Sequence, residues 1–401
     1  MSTNKYTNYV ESEVSWLREY PANWKLQKLK YLCDINTGSK DTQDKTDDGM
    51  YPFFVRSPIV EKLNEYTHDD EAIMTAGDGV GVGKVFHYYQ GKFSAHQRVY
   101  VFTKFKNTVG KFLFYYLKSN LAFEVLSGNA KSTVDSLRRP MLSEFLVVVP
   151  SLDEQIAIVN FLDWKLSKID SLINSKEELI KLLEEKRQSL ITEAVTKGLN
   201  PNVKMKDSGV EWIGKVPEHW QIKKFKRCFK IFNGKEITNE LDIEDENGID
   251  VFGSGGKFKK TDEFIYDGKS VLFGRKGTIG KPLYVNRKFW TVDTMYFTKF
   301  HKESYPKWFY YVLKVYPWHL IMTQTALPSI VGSDIENDYW CIPPYKEQQE
   351  ITSHLDQLND KTDNLILNIN KQISNLKAYS ESLIYEAVTG KIDIREFETV
   401  Q

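Results

Sequence analysis

Two stretches of this 401-residue chain concentrate cations. From Lys84 to Arg139 ten Lys and Arg stand against two acidic residues, and from Lys257 to Lys307 twelve stand against five. Aromatic residues are interleaved: Tyr88, Tyr89, Phe93, Tyr100 and Phe102 in the first, and Phe258, Tyr284, Phe289, Trp290 and Tyr296 in the second. Basic loops with polar and aromatic side chains suit phosphate neutralisation combined with reading of base edges. A guanidinium can grip guanine with two hydrogen bonds, whereas an ammonium mainly positions on phosphate. The candidate DNA contacts are therefore Lys84, Arg98, Lys131, Arg138 and Arg139, followed by Lys257, Arg275, Lys276, Lys281 and Arg287. The competing reading is a solvated basic face over core aromatics, since surface Lys is common. Formal net charge is zero, so the signal lies in the distribution of charge and in its occurring twice.

Catalytic patterns are approached but not met. Gly77-Asp-Gly79-Val-Gly81-Val-Gly83-Lys84 and Gly274-Arg-Lys-Gly277-Thr-Ile-Gly280-Lys281 suggest phosphate loops. Asp78 and Arg275 occupy the first-glycine position, however, and Val85 and Pro282 occupy the Ser/Thr position. Both stretches lie among strand-like runs, so tight turns between strands are expected. Ile342-Pro343-Pro344-Tyr345 lacks the leading Asn or Asp that would hold the target amino group in the Pro-Pro-Tyr tetrad of an amino-methyltransferase, and reads as a domain exit before a helix. The His residues are isolated, and Cys33, Cys228 and Cys341 suit neither a disulfide framework nor a zinc site. No catalytic residue, metal site or cofactor is expected in this chain.

The elements that must hold the basic segments are two long helices and a repeat. Ser151–Lys197 contains neither Pro nor Gly. Its apolar residues Leu162, Leu166, Ile169, Ile173, Ile180, Leu183, Leu190 and Ala194 form an a/d seam interrupted by Lys176 and Arg187. Such a helix is roughly 66 Å long. Tyr345–Thr389 repeats the pattern with Leu355, Ile366, Ile369, Ile373, Leu376, Leu383 and Ala387. An antiparallel intramolecular coiled coil buries both seams, with polar positions Lys176, Arg187, Asn359, Thr362 and Ser380 setting its register. Trp16 to Lys30 matches Trp212 to Lys226, Glu154-Gln155 matches Glu347-Gln348, Leu162-Asp163 matches Leu355-Asp356, and Glu193–Thr196 matches Glu386–Thr389. Two copies of one plan follow: a globular unit at 1–150, a helix at 151–200, a second unit at 201–344, and a second helix with tail at 345–401. The fold class is α+β, with β-rich units carrying short helices and a pseudo-two-fold internal repeat.

Within each unit, short apolar runs between turns read as strands. Val109–Leu126 and Pro306–Tyr316 read as helices, and Trp24–Ile35 as a strand or a short helix. Residues 1–15 and the segment after Gly390 are polar and are expected to be a loose lead-in and tail. With neither a membrane-length apolar run nor an apolar N-terminal signal, a cytoplasmic protein is expected.

These residues resemble the specificity subunit of type I restriction–modification enzymes. The resemblance rests on W-[LI]-x-x-x-P-x-x-W at Trp16–Trp24 and Trp212–Trp220, P-x-x-x-E-Q at Pro150–Gln155 and Pro343–Gln348, and E-A-V-T at Glu193–Thr196 and Glu386–Thr389. It implies two target recognition domains that each bind one half of a split site in double-stranded DNA. It also implies a helical ruler that sets the gap and docks two modification (methyltransferase) subunits, with Asp153, Glu184, Glu185 and Lys186 as docking candidates on free helix faces. The chain would be non-catalytic. The modification subunits would hold S-adenosylmethionine and methylate a flipped adenine, and restriction (motor/nuclease) subunits would use ATP and Mg. The halves differ, so an asymmetric site is expected. The alternative is a nonspecific DNA-binding coiled-coil scaffold.

Overall fold

A computed structural model of the chain describes residues 5–14, 16–128, 136–323, 325, 327–395 and 397, with the side chains of 124–128 excepted. The sequence candidate Lys131 lies outside the described residues. The chain divides into two compact units, residues 1–176 with 371–401, and residues 177–370. Each takes one globular domain together with half of each long helix.

The first unit opens with β1 (Tyr9–Glu11), β2 (Glu19–Pro21), β3 (Lys25–Lys28) and β4 (Asp34–Thr37). Then come β5 (Tyr51–Phe54), β6 (Val60–Leu63), β7 (His68–Ala76), β8 (Phe86–Ala95) and β9 (Val99–Thr103). The helices α1 (Gly110–Gly128) and α2 (Arg139–Glu144) precede β10 (Leu146–Val149) and α3 (Leu152–Lys197). Strands β4 to β9 form one sheet in the order β4-β9-β7-β8-β5-β6, while β10 pairs with β3 and β1 with β2. In β7 a polar, partly exposed start (His68–Glu71) gives way to Ala72–Ala76, which is buried on both faces. That is expected of a central strand flanked by β8 and β9 and covered by α1.

The second unit repeats this order. It contains β11 (Met205–Asp207), β12 (Lys215–Pro217), β13 (Gln221–Lys224), β14 (Phe229–Asn233) and β15 (Ile249–Gly253). It continues through β16 (Gly256–Thr261), β17 (Tyr266–Gly274), β18 (Leu283–Thr291) and β19 (Met295–Phe300). It ends in α4 (Pro306–Val315), α5 (Gly332–Asn337), β20 (Tyr339–Ile342) and α6 (Tyr345–Val388). Its sheet order is β14-β19-β17-β18-β15-β16, position for position that of the first unit. Its core gathers Trp220, Phe225, Trp308 and Trp340 with Ile191, Val195, Ile351 and Leu355 from the long helices.

Two sequence expectations are corrected here. Residues 5–14 of the N-terminal lead-in are ordered: β1 pairs with β2, and Tyr6 is buried with its hydroxyl on Glu154 at 2.5 Å. The described residues of the tail, 391–395 and 397, are packed as well. Ile392 and Ile394 are buried, Phe397 sits edge-on to Phe161, and Arg395 lies over the Tyr6 ring. A few well-placed apolar side chains suffice to pin each segment, and they leave no periodicity to read. The ambiguous Trp24–Ile35 segment resolves into β3, a single 3₁₀ turn at Leu29–Tyr31, and β4.

The seam residues are the covered ones on both helices. On α3, positions 162, 169, 173 and 194 are buried and 166, 176, 180, 183, 187 and 190 are half-buried, between exposed neighbours. In the first unit the start of α3 and the end of α6 meet the same aromatic group: Glu154 accepts from Tyr6 and Trp24, and Tyr9 donates to the Gly390 carbonyl. Farther along, Lys176 donates to Gln372 at 2.6 Å, so the two segments run antiparallel. In the second unit Arg187 bonds Asp363 at 2.6 Å, and the Asn359 amide donates to Tyr311. Polar seam residues thus find partners across the pair or against the adjoining domain.

The repeated motifs are the joints between sheet domains and helices. Glu154 accepts from the Trp24 indole at 3.1 Å, and Glu347 from the Trp220 indole at 3.1 Å. Gln155 accepts from the Val109 amide at 2.7 Å, and Gln348 from the Tyr305 amide at 2.8 Å. Each Gln thereby satisfies a backbone donor at the entry to α1 or α4, where intrahelical partners are missing. Asp163 accepts from Lys111 and Tyr115, and Asp356 from Lys307 and Tyr311, all at 2.6–2.7 Å. Burial together with these carboxylates raises the pKa of both tyrosines, so they remain donors.

Candidate nucleic-acid interface

In each domain the turn after the central strand is locked to the segment before the small helix by the same bonds. In the first, the Gly77 amide donates to the Arg98 carbonyl at 2.8 Å, and the Leu137 amide donates to the Gly77 carbonyl at 2.8 Å. Asp78 and Ser136 form a backbone bridge, and the Tyr100 hydroxyl donates to the Leu137 carbonyl. In the second, the Arg275 amide donates to the Thr294 carbonyl at 2.8 Å, and the Ile330 amide to the Arg275 carbonyl at 3.0 Å. Lys276 and Ser329 form the bridge, and Tyr296 donates to the Ile330 carbonyl. Gly79 and Gly277 follow in the left-handed region, with φ of 79° and 77°, a conformation that only Gly adopts cheaply. The glycine-rich stretches are therefore strand-to-strand turns, as expected from their failure to match a phosphate loop.

This frame fixes which side chains are displayed. Asp78 accepts from Arg56 at 2.7 Å on one oxygen and from Arg98 at 3.1 Å on the other. Burial opposes its ionisation, but the two guanidiniums prevail and hold the carboxyl below its usual range. His96 is buried next to this group and accepts the Arg98 amide on Nδ1. Burial and then the Arg56 charge lower its pKa, which keeps it neutral in the role of acceptor. In the second domain Arg275 lies over the Tyr296 ring, and Lys276 is exposed.

Of the first-domain candidates, Arg98 and Arg138 adjoin the Gly77 turn, and both are exposed. Lys84 lies at the far end of that turn, in a groove with Lys118, Phe123 and Tyr385. Arg139 donates to the Ile35 carbonyl at 2.8 Å, a bond that ties α2 to β4. In the second domain Arg275 and Lys276 share one turn, and Lys281 is exposed farther along it. Lys257 and Arg287 converge on one carboxylate, Asp250 of β15, and Arg287 stays 62% exposed, so this pair is held on the strands and not on the turn that carries Arg275 and Lys276. Among the docking candidates, Asp153 is exposed in the first turn of α3 within the first unit. Glu184, Glu185 and Lys186 are exposed on the α3 segment of the second unit. Arg56 was not among the sequence candidates. It precedes the basic stretch, and only the convergence of three loops on Asp78 reveals it.

Among the described residues no group of His, Cys, Asp and Glu could hold a metal ion, and no helix is long and apolar enough to cross a membrane. What remains is a pair of framed, cation-bearing loop clusters.

A family model described as the type I restriction modification DNA specificity domain matches residues 21–185 and again 217–375. The chain is similar to the EcoDI specificity subunit of Escherichia coli, 23% identical over 93% of this chain and 89% of that protein. It is 22% identical to the EcoKI specificity subunit of Escherichia coli K12, over 92% of this chain and 85% of that one. Its fold is similar to that of a chain from a type I R-M system solved for its complex assembly and conformational transition. That match has a TM-score of 0.72 and 14% identity, covering 93% of this chain and 99% of that chain. The HsdS subunit from Thermoanaerobacter tengcongensis matches with a TM-score of 0.54 and 16% identity, covering 95% of this chain and 100% of its own.

Proposed function

The chain belongs to the type I restriction–modification DNA specificity family, whose members are non-catalytic specificity subunits, and from that premise we propose that it reads a two-part, asymmetric site in double-stranded DNA. Membership in a sequence-specificity family leaves the nonspecific scaffold alternative without support. The observation that carries the proposal is the doubled frame: one set of backbone bonds, built twice, displays Arg56, Asp78 and Arg98 in one domain and Arg275 and Lys276 in the other. Identical domains would read a repeated half-site; different side chains on the same frame read different ones.

The joints support a ruler role for the helices. Because Glu154, Gln155 and Asp163 fasten one domain to α3, and Glu347, Gln348 and Asp356 fasten the other to α6, helix length sets the gap between half-sites. The exposed helix faces dock two modification subunits, with Asp153, Glu184, Glu185 and Lys186 available for polar contacts. In this reading S-adenosylmethionine belongs to the modification subunits, which methylate a flipped adenine, and ATP and Mg belong to the restriction subunits. The complex acts in the cytoplasm.

Methylome sequencing of a host that expresses this chain with its modification partner tests the proposal. The expected result is one adenine-methylation motif with two unlike half-sites and a fixed gap. A continuous motif, a palindrome or sequence-indifferent methylation would refute it.

A further inference from the structure

The first domain converges two arginines on one aspartate from three separate loops. Arg56 follows β5, Asp78 follows β7, and Arg98 lies in the β8–β9 turn. Each carboxylate oxygen takes a single Nη1–H, one from each guanidinium. A guanidinium has five donors, so both arginines keep most of theirs. The Arg98 side chain stays 59% exposed and that of Arg56 42%. Arg98 is held a second time through its backbone, whose amide donates to the buried His96 and whose carbonyl accepts from Gly77.

The second domain supplies an internal comparison. The Phe54 carbonyl accepts the His96 amide, and the Phe252 carbonyl accepts the Val292 amide. Two residues beyond those carbonyls stand Arg56 and Ser254. By the frame bonds, Asp78 corresponds to Lys276 and Arg98 to Thr294. The frame recurs while all three displayed residues are exchanged. A salt-bridge cluster needed only to hold the loops would not be dispensable in the second copy, whose loops are held by the same backbone bonds without it. Exchange of side chains on a constant frame is the behaviour of positions that encode sequence.

We infer that Arg98 reads a guanine in the half-site bound by the first domain, with Asp78 as its positioning residue and Arg56 as the second arm of the clamp. Two remaining N–H groups of Arg98 meet the O6 and N7 acceptors of guanine in the major groove, the bidentate pairing that this side chain favours. Asp78 fixes the guanidinium plane beforehand, so less side-chain freedom is lost on binding. The carboxylate is tolerated near the duplex because two cations flank it. This assignment rests on the bipartite-reading proposal above and narrows it to named atoms.

The test compares methylomes of hosts carrying the modification partner with wild-type chain, Arg98→Ala, Arg98→Lys, Asp78→Asn or Asp78→Glu, after size-exclusion chromatography has shown that each complex assembles. In the wild type, one half-site contains a guanine. In Arg98→Ala and Arg98→Lys that single position loses its preference by roughly tenfold to hundredfold, while the other half-site and the gap are unchanged. Asp78→Asn weakens the preference at the same position, and Asp78→Glu restores part of it. A motif unchanged in Arg98→Lys overturns the inference. So does a uniform loss of methylation over all sequences in assembled complexes, which marks a phosphate contact. If the wild type yields no bipartite motif at all, the functional proposal fails as well; a bipartite motif that these variants leave intact sinks only this assignment.

Discussion

Replacing Glu154 with Ala removes the acceptor on which the first domain meets α3. Two donors lose their partner, the Tyr6 hydroxyl at 2.5 Å and the Trp24 indole at 3.1 Å, and both residues are buried. An unsatisfied buried donor costs about 1–3 kcal/mol, so two put the expected loss at about 2–6 kcal/mol. Glu347 occupies the matching place in the second domain with different partners. Its indole bond comes from buried Trp220, but its other partner, His219, has a side chain 46% exposed and can turn to water. Glu347→Ala therefore strands one donor and costs about 1–3 kcal/mol. The assay is native-state hydrogen exchange with urea titration, read separately for peptides of each unit, because a two-unit chain has no single unfolding free energy. Glu154→Ala should lower protection around Tyr6, Trp24 and Val109 more than Glu347→Ala lowers it around Trp220 and Tyr305. Equal losses, or a Glu154 effect confined to the second unit, would refute the reasoning that the joint is held by buried donors.

Further outcomes are expected. Burial lowers the pKa of His68, His87 and His96, all in the first unit. Their contribution to stability is fully present above the unfolded value of about 6.5 and is lost as pH falls through the folded values. Hydrogen exchange at pH 7.5 and pH 5.5 should thus show the first unit weakening, and His96→Gln should reduce the pH dependence. Gly390 has φ of 72°, and a Cβ there would stand 2.4 Å from Pro21. At Gly198, φ 75°, the nearest atom would be 3.2 Å away. Both Ala variants bear the left-handed penalty of about 1–2 kcal/mol, but Gly390→Ala adds a clash with the rigid Pro21 ring. It should cost the first unit more hydrogen-exchange protection than Gly198→Ala costs the second.

What could be read from the sequence was what obeys a period. The seam of α3 and α6 was legible because an apolar residue every three or four positions must be covered, and those are the positions the structure covers. The matched pairs Glu154-Gln155 and Glu347-Gln348 were visible as repeats, but their role was not. Trp24 lies 130 residues before Glu154, and no local pattern announces a hydrogen bond of that span. The basic segments were found by counting charge, which cannot tell which cations the fold gathers on the framed turns and which it holds elsewhere. Lys257 and Arg287 share Asp250, and Arg139 is spent on a backbone carbonyl. Arg56 escaped because it stands upstream of the counted stretch and joins it only through the folding of three loops onto Asp78.

The central claim is that helix length measures the gap between two independently read half-sites. Inserting seven residues after Lys176 in α3 and seven after Asn370 in α6 keeps both seams in phase. The added length is about 10 Å, or about three base-pair steps at 3.4 Å each. Methylome sequencing of a host expressing the extended chain with its modification partner should return the same two half-sites, separated by about three more base pairs. An unchanged gap, or altered half-sites, would contradict the account.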